Sequence, residues 1–172
     1  ENADVAKRIQ QLVKHLYNLG MEAHRSESGI YTVQMKDIEV IKMLRDMCLA
    51  DVPMRIDNKI VRGDCCRRSF VRGAFLGSGS ISDPLKSYHA EFVTGRYALC
   101  GDFGEILRCF GIAPGIIKRN GNYVFYIKDS GQIEDLLAVL GAHTQMMEML
   151  NIKIEKEVRN DTNRRVNCEN AN

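Results

Sequence analysis

The chain has 172 residues, 45% of them hydrophobic and 27% charged, enough for one compact domain with a sizeable core. No stretch is long and apolar enough to span a bilayer, and the first residues do not form a signal peptide, so a membrane is not among the expected partners. The formal net charge of +2 is too small to argue for or against nucleic acid, so the local distribution of charge has to decide.

Residues 4–20 place Val5, Ile9, Leu12, Val13, Leu16 and Leu19 at helical spacing, with Asp4 near the start and Gly20 as a natural stop. The chain therefore opens inside a helix start, which points to a trimmed N-terminus. Residues 21–37, MEAHRSESGIYTVQMKD, form two short extended runs around a Ser-Gly turn. In the second run Tyr31, Val33 and Met35 alternate with Thr32, Gln34 and Lys36, as in a strand buried on one face. Residues 38–49, IEVIKMLRDMCL, read as an amphipathic helix. A basic cluster follows (Arg55, Lys59, Arg62, Arg67, Arg68 and Arg72), which a solvated surface would also explain.

The motif stretch comes next, at residues 67–84: RRSFVRGAFLGSGSISDP. Ser69, Gly73 and Gly77 lie four apart on one helical face, a spacing that admits another helix backbone closely. Glycine inside a helix costs about 1 kcal/mol against alanine, so two of them imply a packing reason. In SYHAEFV, Tyr88, Ala90 and Phe92 alternate with His89, Glu91 and Val93. Residues 100–111 then read as a helix ending at Gly111, residues 113–129 as a hairpin, and residues 131–141 as a helix. This order repeats the earlier one, and GIYTVQMKD at 29–37 matches GNYVFYIKD at 121–129, which indicates internal duplication. The first copy lacks an opening helix and strands that the second has.

VRGAFLGSGSI, residues 71–81, resembles the motif helix of the LAGLIDADG homing endonucleases, with Gly73 at the first glycine and Gly79 at the last. Over most of its length the chain is similar to a narrower family, WhiA. The resemblance is carried by residues 65–93, by LGAHTQMMEMLN at 140–151, and above all by RNDTNRRVNCENAN at 159–172. It implies an α+β fold of two pseudo-symmetric LAGLIDADG-like repeats with saddle-shaped antiparallel sheets, the first repeat incomplete. Residues 1–58 and 59–152 would be the repeats, and residues 153–172 a linker toward a C-terminal helix-turn-helix domain that this chain does not include. It also implies a DNA-binding regulator of transcription acting in sporulation, or in cell division and chromosome segregation, in the bacterial cytoplasm at the nucleoid.

In the resembled endonucleases the catalytic acid precedes the last glycine, and here that position is Ser78; the earlier, non-catalytic aspartate position is Leu76. Metal-assisted phosphodiester cleavage needs carboxylates to hold divalent cations, and a neutral hydroxyl cannot replace one. No nuclease activity, metal or cofactor is expected, although Asp83 and Glu91 are the acids near enough to substitute. The resemblance places the sheet face opposite the helices against double-stranded DNA. The candidates for that contact are Thr32, Gln34, Lys36, His89, Tyr126 and Lys128, with Arg25, Lys118 and Arg119 reaching phosphates. Val124 and Glu91 share the face and favour DNA little, so the alternative is a protein-interaction or regulatory scaffold that positions a separate helix-turn-helix. Ser69, Gly73 and Gly77 are the candidate motif-helix packing face, and through it a site of self-association.

Other signals are weaker. The six cysteines match no zinc spacing, Cys65 and Cys66 cannot easily pair with each other, and core thiols are the expectation. The four histidines show no metal-ligand spacing. Met146, Met147 and Met149 read as core packing. Gly-Ser-Gly-Ser at 77–80 lacks the lysine of a phosphate loop.

Overall fold

Apolar alternation and turn chemistry account for most of the elements seen in the computed structural model, which describes residues 3–35 and 55–171. The expected helix over 38–49, with Cys48, and the candidate Lys36 lie outside the described residues. The fold is α+β, and contacts divide the chain into two units, Glu1–Asp57 and Asn58–Asn172.

In the first unit, α1 (Ala3–Tyr17) packs on a hairpin of β1 (Glu22–Arg25) and β2 (Tyr31–Gln34). The helix stops three residues before Gly20 because Asn18 takes the left-handed conformation, φ 55°, and its N–H donates to the Lys14 carbonyl. Ala6 and Val13 are buried, and Gln10 donates to the Met21 carbonyl at 2.9 Å, so this narrow stripe faces inward. Ile9, Leu12 and Leu16 of the expected apolar set are exposed instead.

In the second unit, α2 (Asp64–Ser78) leads directly into β3 (Gly79–Ile81). A Cβ at Gly79 would lie 2.8 Å from the Phe75 Cα, so only glycine permits this tight exit. The unit continues with β4 (Ala90–Thr94), α3 (Tyr97–Arg108), β5 (Gly115–Arg119), β6 (Asn122–Ile127) and α4 (Ser130–Leu140). The strands form one antiparallel sheet in the order β3-β4-β6-β5. Asn120 and Gly121, at φ 51° and 79°, supply the two-residue turn between β5 and β6. The Asp129 side chain accepts from the Gln132 N–H at 2.9 Å to start α4, and Gly141 ends it at φ 78°.

Register puts Ala90 beside Ile127 and Phe92 beside Phe125, and these four buried residues face the helices. Phe92 meets Phe103 at 5.0 Å and Phe75 at 5.9 Å between ring centroids, while Phe103 meets Phe125 at 5.3 Å, all edge to face. Val71, Leu107, Ile133 and Leu136 complete this core with no appreciable exposure.

Helix α5 (His143–Asn170) packs on α4 through Met149, which is buried; Met147 is exposed, contrary to the expected core role. Lys153 bonds Glu134 at 2.9 Å, a hydrogen bond that raises the ammonium pKa above its ordinary value. Lys156 donates to the Pro84 carbonyl at 2.6 Å and lies 4.9 Å over the Tyr88 ring. The helix then runs exposed through the span expected to be a linker. The core-thiol expectation fails for Cys65, Cys66, Cys109 and Cys168, which are exposed. They sit at helix starts and ends, where little covers them. Cys100 alone among the described cysteines is buried, and burial pushes its thiol pKa up.

Candidate nucleic-acid interface

The side of the second unit's sheet that faces away from Phe92 and Phe125 carries Ser80, Glu91, Tyr126 and Val124, because strand residues alternate. Glu91 organises it. His89 Nε2 lies 3.3 Å from one Glu91 oxygen, and an Arg119 guanidinium nitrogen lies 3.4 Å from the other. Tyr126, directly across from Glu91, spreads its ring over Gly115, where any Cβ would overlap it. Lys128 Nζ sits 5.4 Å above that ring. Two candidates, His89 and Arg119, thus meet one carboxylate, with Tyr126 across from it and Lys128 over the Tyr126 ring. Val124 belongs to the same side but is only 2% exposed, flanked in register by Val93 and Ile117, so it offers no contact surface.

Lys118 is on the other side. It pairs in register with Tyr123, its Nζ lies 5.6 Å over that ring, and the Tyr123 ring in turn meets that of Tyr97 of α3 at a tilt, centroids 5.2 Å apart. The first unit repeats this arrangement. Arg25 pairs with Tyr31 and lies 5.7 Å over its ring, on the side shared with Val33 rather than with Thr32 and Gln34. Thr32 and Gln34 are exposed beside His24 and Glu22, which form a pair at 3.4 Å. Both open faces therefore mix an acid with their polar and basic groups.

At the motif helix, Ser69, Gly73 and Gly77 are exposed, and open space would receive a Cβ at either glycine. Ser78 is exposed too, but its hydroxyl donates back to the Ala74 carbonyl at 3.1 Å and is spent on its own helix. The two nearby acids are also committed. Asp83 accepts from the Leu85 N–H at 2.9 Å in a turn, and Glu91 holds Arg119 and His89. Among the described residues no three His, Cys, Asp or Glu side chains converge as a metal-holding group.

Sequence reasoning missed three features. Arg72, counted in the basic cluster, donates from Nε to the Val139 carbonyl at 3.1 Å and so helps to close α4; the adjacent helix-ending Gly141 was the available signal. Arg68 is held by Asp64 at 2.9 Å and lies 5.0 Å over Phe110. A cavity of about 730 Å³ opens between α2, α4 and α5, lined by Phe75, Ile81, Tyr88, Ile133, Leu137 and Met149 among others. No local pattern in the sequence announces it. No helix among the described residues is long and apolar enough to cross a membrane.

Comparison with known proteins fits this architecture. The WhiA LAGLIDADG-like domain family matches residues 1–65 and 67–159. The probable cell division protein WhiA of Alkaliphilus metalliredigens is 36% identical over all of this chain and 59% of its own length. That of Clostridium perfringens is 40% identical over 98% of this chain and 52% of its own length. The chain thus spans little more than half the length of the curated relatives it matches. Among solved structures, full-length WhiA from Thermatoga maritima superposes with a TM-score of 0.75 and 24% identity, covering 99% of this chain and 56% of that one. The homing endonuclease I-DmoI, solved in complex with DNA and Mn, superposes with a TM-score of 0.58 and 16% identity, covering 81% of this chain and 73% of its own.

Proposed function

The chain belongs to the WhiA LAGLIDADG-like family, and from that premise we propose that it is the part of a WhiA-type regulator of transcription that contacts double-stranded DNA without cutting it. The observation that carries the reading is the fold shared with I-DmoI, a protein solved on DNA, combined with a serine hydroxyl turned into its own helix at position 78. A site with Ser78 so bonded, and with Asp83 and Glu91 held in other contacts, supplies no carboxylate pair for divalent cations. The cellular role is control of cell division or sporulation, at the nucleoid in the cytoplasm. Residues 1–58 and 59–152 act as two repeats, and residues 153–172 connect to a helix-turn-helix domain in the longer protein. The exposed Ser69, Gly73 and Gly77 face is the surface for a second motif helix, in the same protein or in another copy.

The two sheet sides give this reading a sharp test. Arg119 and Lys128 lie on the open side, whereas Arg25 and Lys118 lie on the helix side with tyrosines. Fluorescent duplex DNA is titrated with the chain at several salt concentrations. Arg119→Ala/Lys128→Ala should weaken binding and flatten the dependence of log affinity on log salt by roughly one unit for each phosphate that is no longer neutralised. Arg25→Ala/Lys118→Ala should leave both unchanged. No binding at low salt, or equal losses in the two double variants, would reject contact through the open face. Magnesium-dependent nicking of DNA that disappears with Asp83→Asn or Glu91→Gln would overturn nuclease inactivity. One observation favours a second reading, a protein-binding scaffold: both open faces carry an acid, Glu22 and Glu91, that repels phosphate.

A further inference from the structure

Cys65 and Cys66 are consecutive residues in the first turn of α2. Both are exposed and free, and their sulfur atoms stand 3.9 Å apart. Side chains in a helix lean toward its N-terminus, and both sulfurs here lean over Gly63. A Cβ at that glycine would lie 3.6 Å from one and 3.7 Å from the other, so a residue without a side chain leaves both open from the same direction. Gly63 is also the helix N-cap and provides no side-chain acceptor to the amides of the first turn. Arg67 and Arg68 follow directly, although Arg68 is held by Asp64 and Phe110. Exposed cysteines beside a second thiol able to resolve the product are sites where oxidation concentrates.

We infer that Cys65 and Cys66 form an oxidation site for the peroxide class of oxidant, which closes a reversible disulfide between the two neighbours. In the first step one cysteine sulfur attacks the peroxide and becomes a sulfenic acid. The O–O bond breaks, the peroxide gains two electrons, and an alcohol or water leaves. In the second step the neighbouring sulfur attacks the sulfenic sulfur, the S–O bond breaks, and water leaves with the thiol proton. The net change is two thiols oxidised and one peroxide reduced. Reduction by an external dithiol runs through exchange and restores both thiols.

Closing this bond has a structural cost that makes it consequential. Neighbouring Cα atoms are about 3.8 Å apart, closer than disulfides ordinarily bridge. Helical backbone in the first turn does not accommodate the ring, so the oxidised helix starts later. Asp64 and Arg68, paired at 2.9 Å across that turn, then separate. Strain of this kind also makes the bond easy to reduce, as a switchable modification requires.

Trypsin isolates the site cleanly, since cleavage after Arg62 and Arg67 releases residues 63–67, Gly-Asp-Cys-Cys-Arg, apart from Cys109 and Cys168. The full chain is reduced, desalted, treated with limiting hydrogen peroxide, alkylated, digested and weighed by mass spectrometry. The 63–67 peptide should lose two hydrogens about tenfold faster than the exposed single thiol of Cys168 is consumed, and dithiothreitol should restore it. Amide hydrogen exchange at residues 67–70 should speed on oxidation and slow again on reduction. With Cys66→Ser, Cys65 should stop at a sulfenic acid that dimedone captures. A rate no greater than that of Cys168 overturns the inference. So does a product dominated by sulfinic acid or by disulfides between chains, or exchange at 67–70 that oxidation does not change.

Discussion

The hairpin of the first unit and the β5–β6 hairpin of the second carry a cation over the same aligned tyrosine, Arg25 on Tyr31 and Lys118 on Tyr123. Their turns differ in length but each carries a glycine at an aligned position, Gly29 at φ 82° and Gly121 at φ 79°. Yet Val33 is half-buried, whereas its counterpart Phe125 is 2% exposed and meets Phe103 edge to face. The difference comes from the far edge of the strand. β6 has β4 along its other side, which brings Phe92 next to Phe125, while β2 has β1 as its strand partner among the described residues. A hairpin is thus written locally, in a positive-φ glycine, a tyrosine and a cation. A core is written by what lies beside it.

The largest expected effect tests that contrast directly. Phe125→Ala removes a fully packed aromatic and should cost about 3–5 kcal/mol of unfolding free energy. Val33→Ala, at the aligned half-buried position, should cost about 1 kcal/mol or less. Urea unfolding, with hydrogen exchange reporting each hairpin separately, reads both. Equal costs would break the comparison, because the first hairpin would then rest on a core as complete as the second.

A smaller effect sharpens it. Gly115 and Glu22 occupy aligned positions, and only Gly115 lies beneath a tyrosine ring. Gly115→Ala forces the Tyr126 ring aside and should cost about 1–2 kcal/mol. Glu22→Ala should stay within about 0.5 kcal/mol of the parent. If the ring is the cause, adding Tyr126→Ala to Gly115→Ala should recover most of the loss, a coupling that a double-mutant cycle measures. Additive losses would place the cause in the strand backbone instead.

These contrasts also mark what could be read without coordinates. The alternation of Tyr31 and Val33, the Asn120-Gly121 turn and the Gly141 end of α4 are local signals that agree with the structure, although β2 stops at Gln34, before Met35. The end of α1 falls before Gly20 because Asn18, not the glycine, takes the left-handed conformation. Glu91 as a hub could not be foreseen, since Arg119 reaches it from a strand two places away in the sheet. Arg25 and Lys118, named for phosphate contact, share their sheet side with Val33 and Phe125, and each lies over its cross-strand tyrosine, a placement set by register with partner strands rather than by local pattern. The same register buries Val124.

The smallest effect asks whether the cation over tyrosine is a feature of the hairpin itself or of the core behind it. A surface cation–π contact contributes about 0.5–1 kcal/mol and little more unless desolvated. Arg25→Ala and Lys118→Ala should therefore cost nearly the same, despite the very different burial of Val33 and Phe125 nearby. Thermal unfolding at low and high salt reads the pair, with Arg25→Lys as the conservative control. A clearly larger loss for Lys118→Ala would mean that the tilted Tyr123–Tyr97 ring contact depends on it, a contact that joins that hairpin to α3 alongside Phe125 and Phe103. Equal, small losses would assign the contact to the hairpin alone. They would also show that both variants stay folded, which is what their use as DNA-binding controls requires.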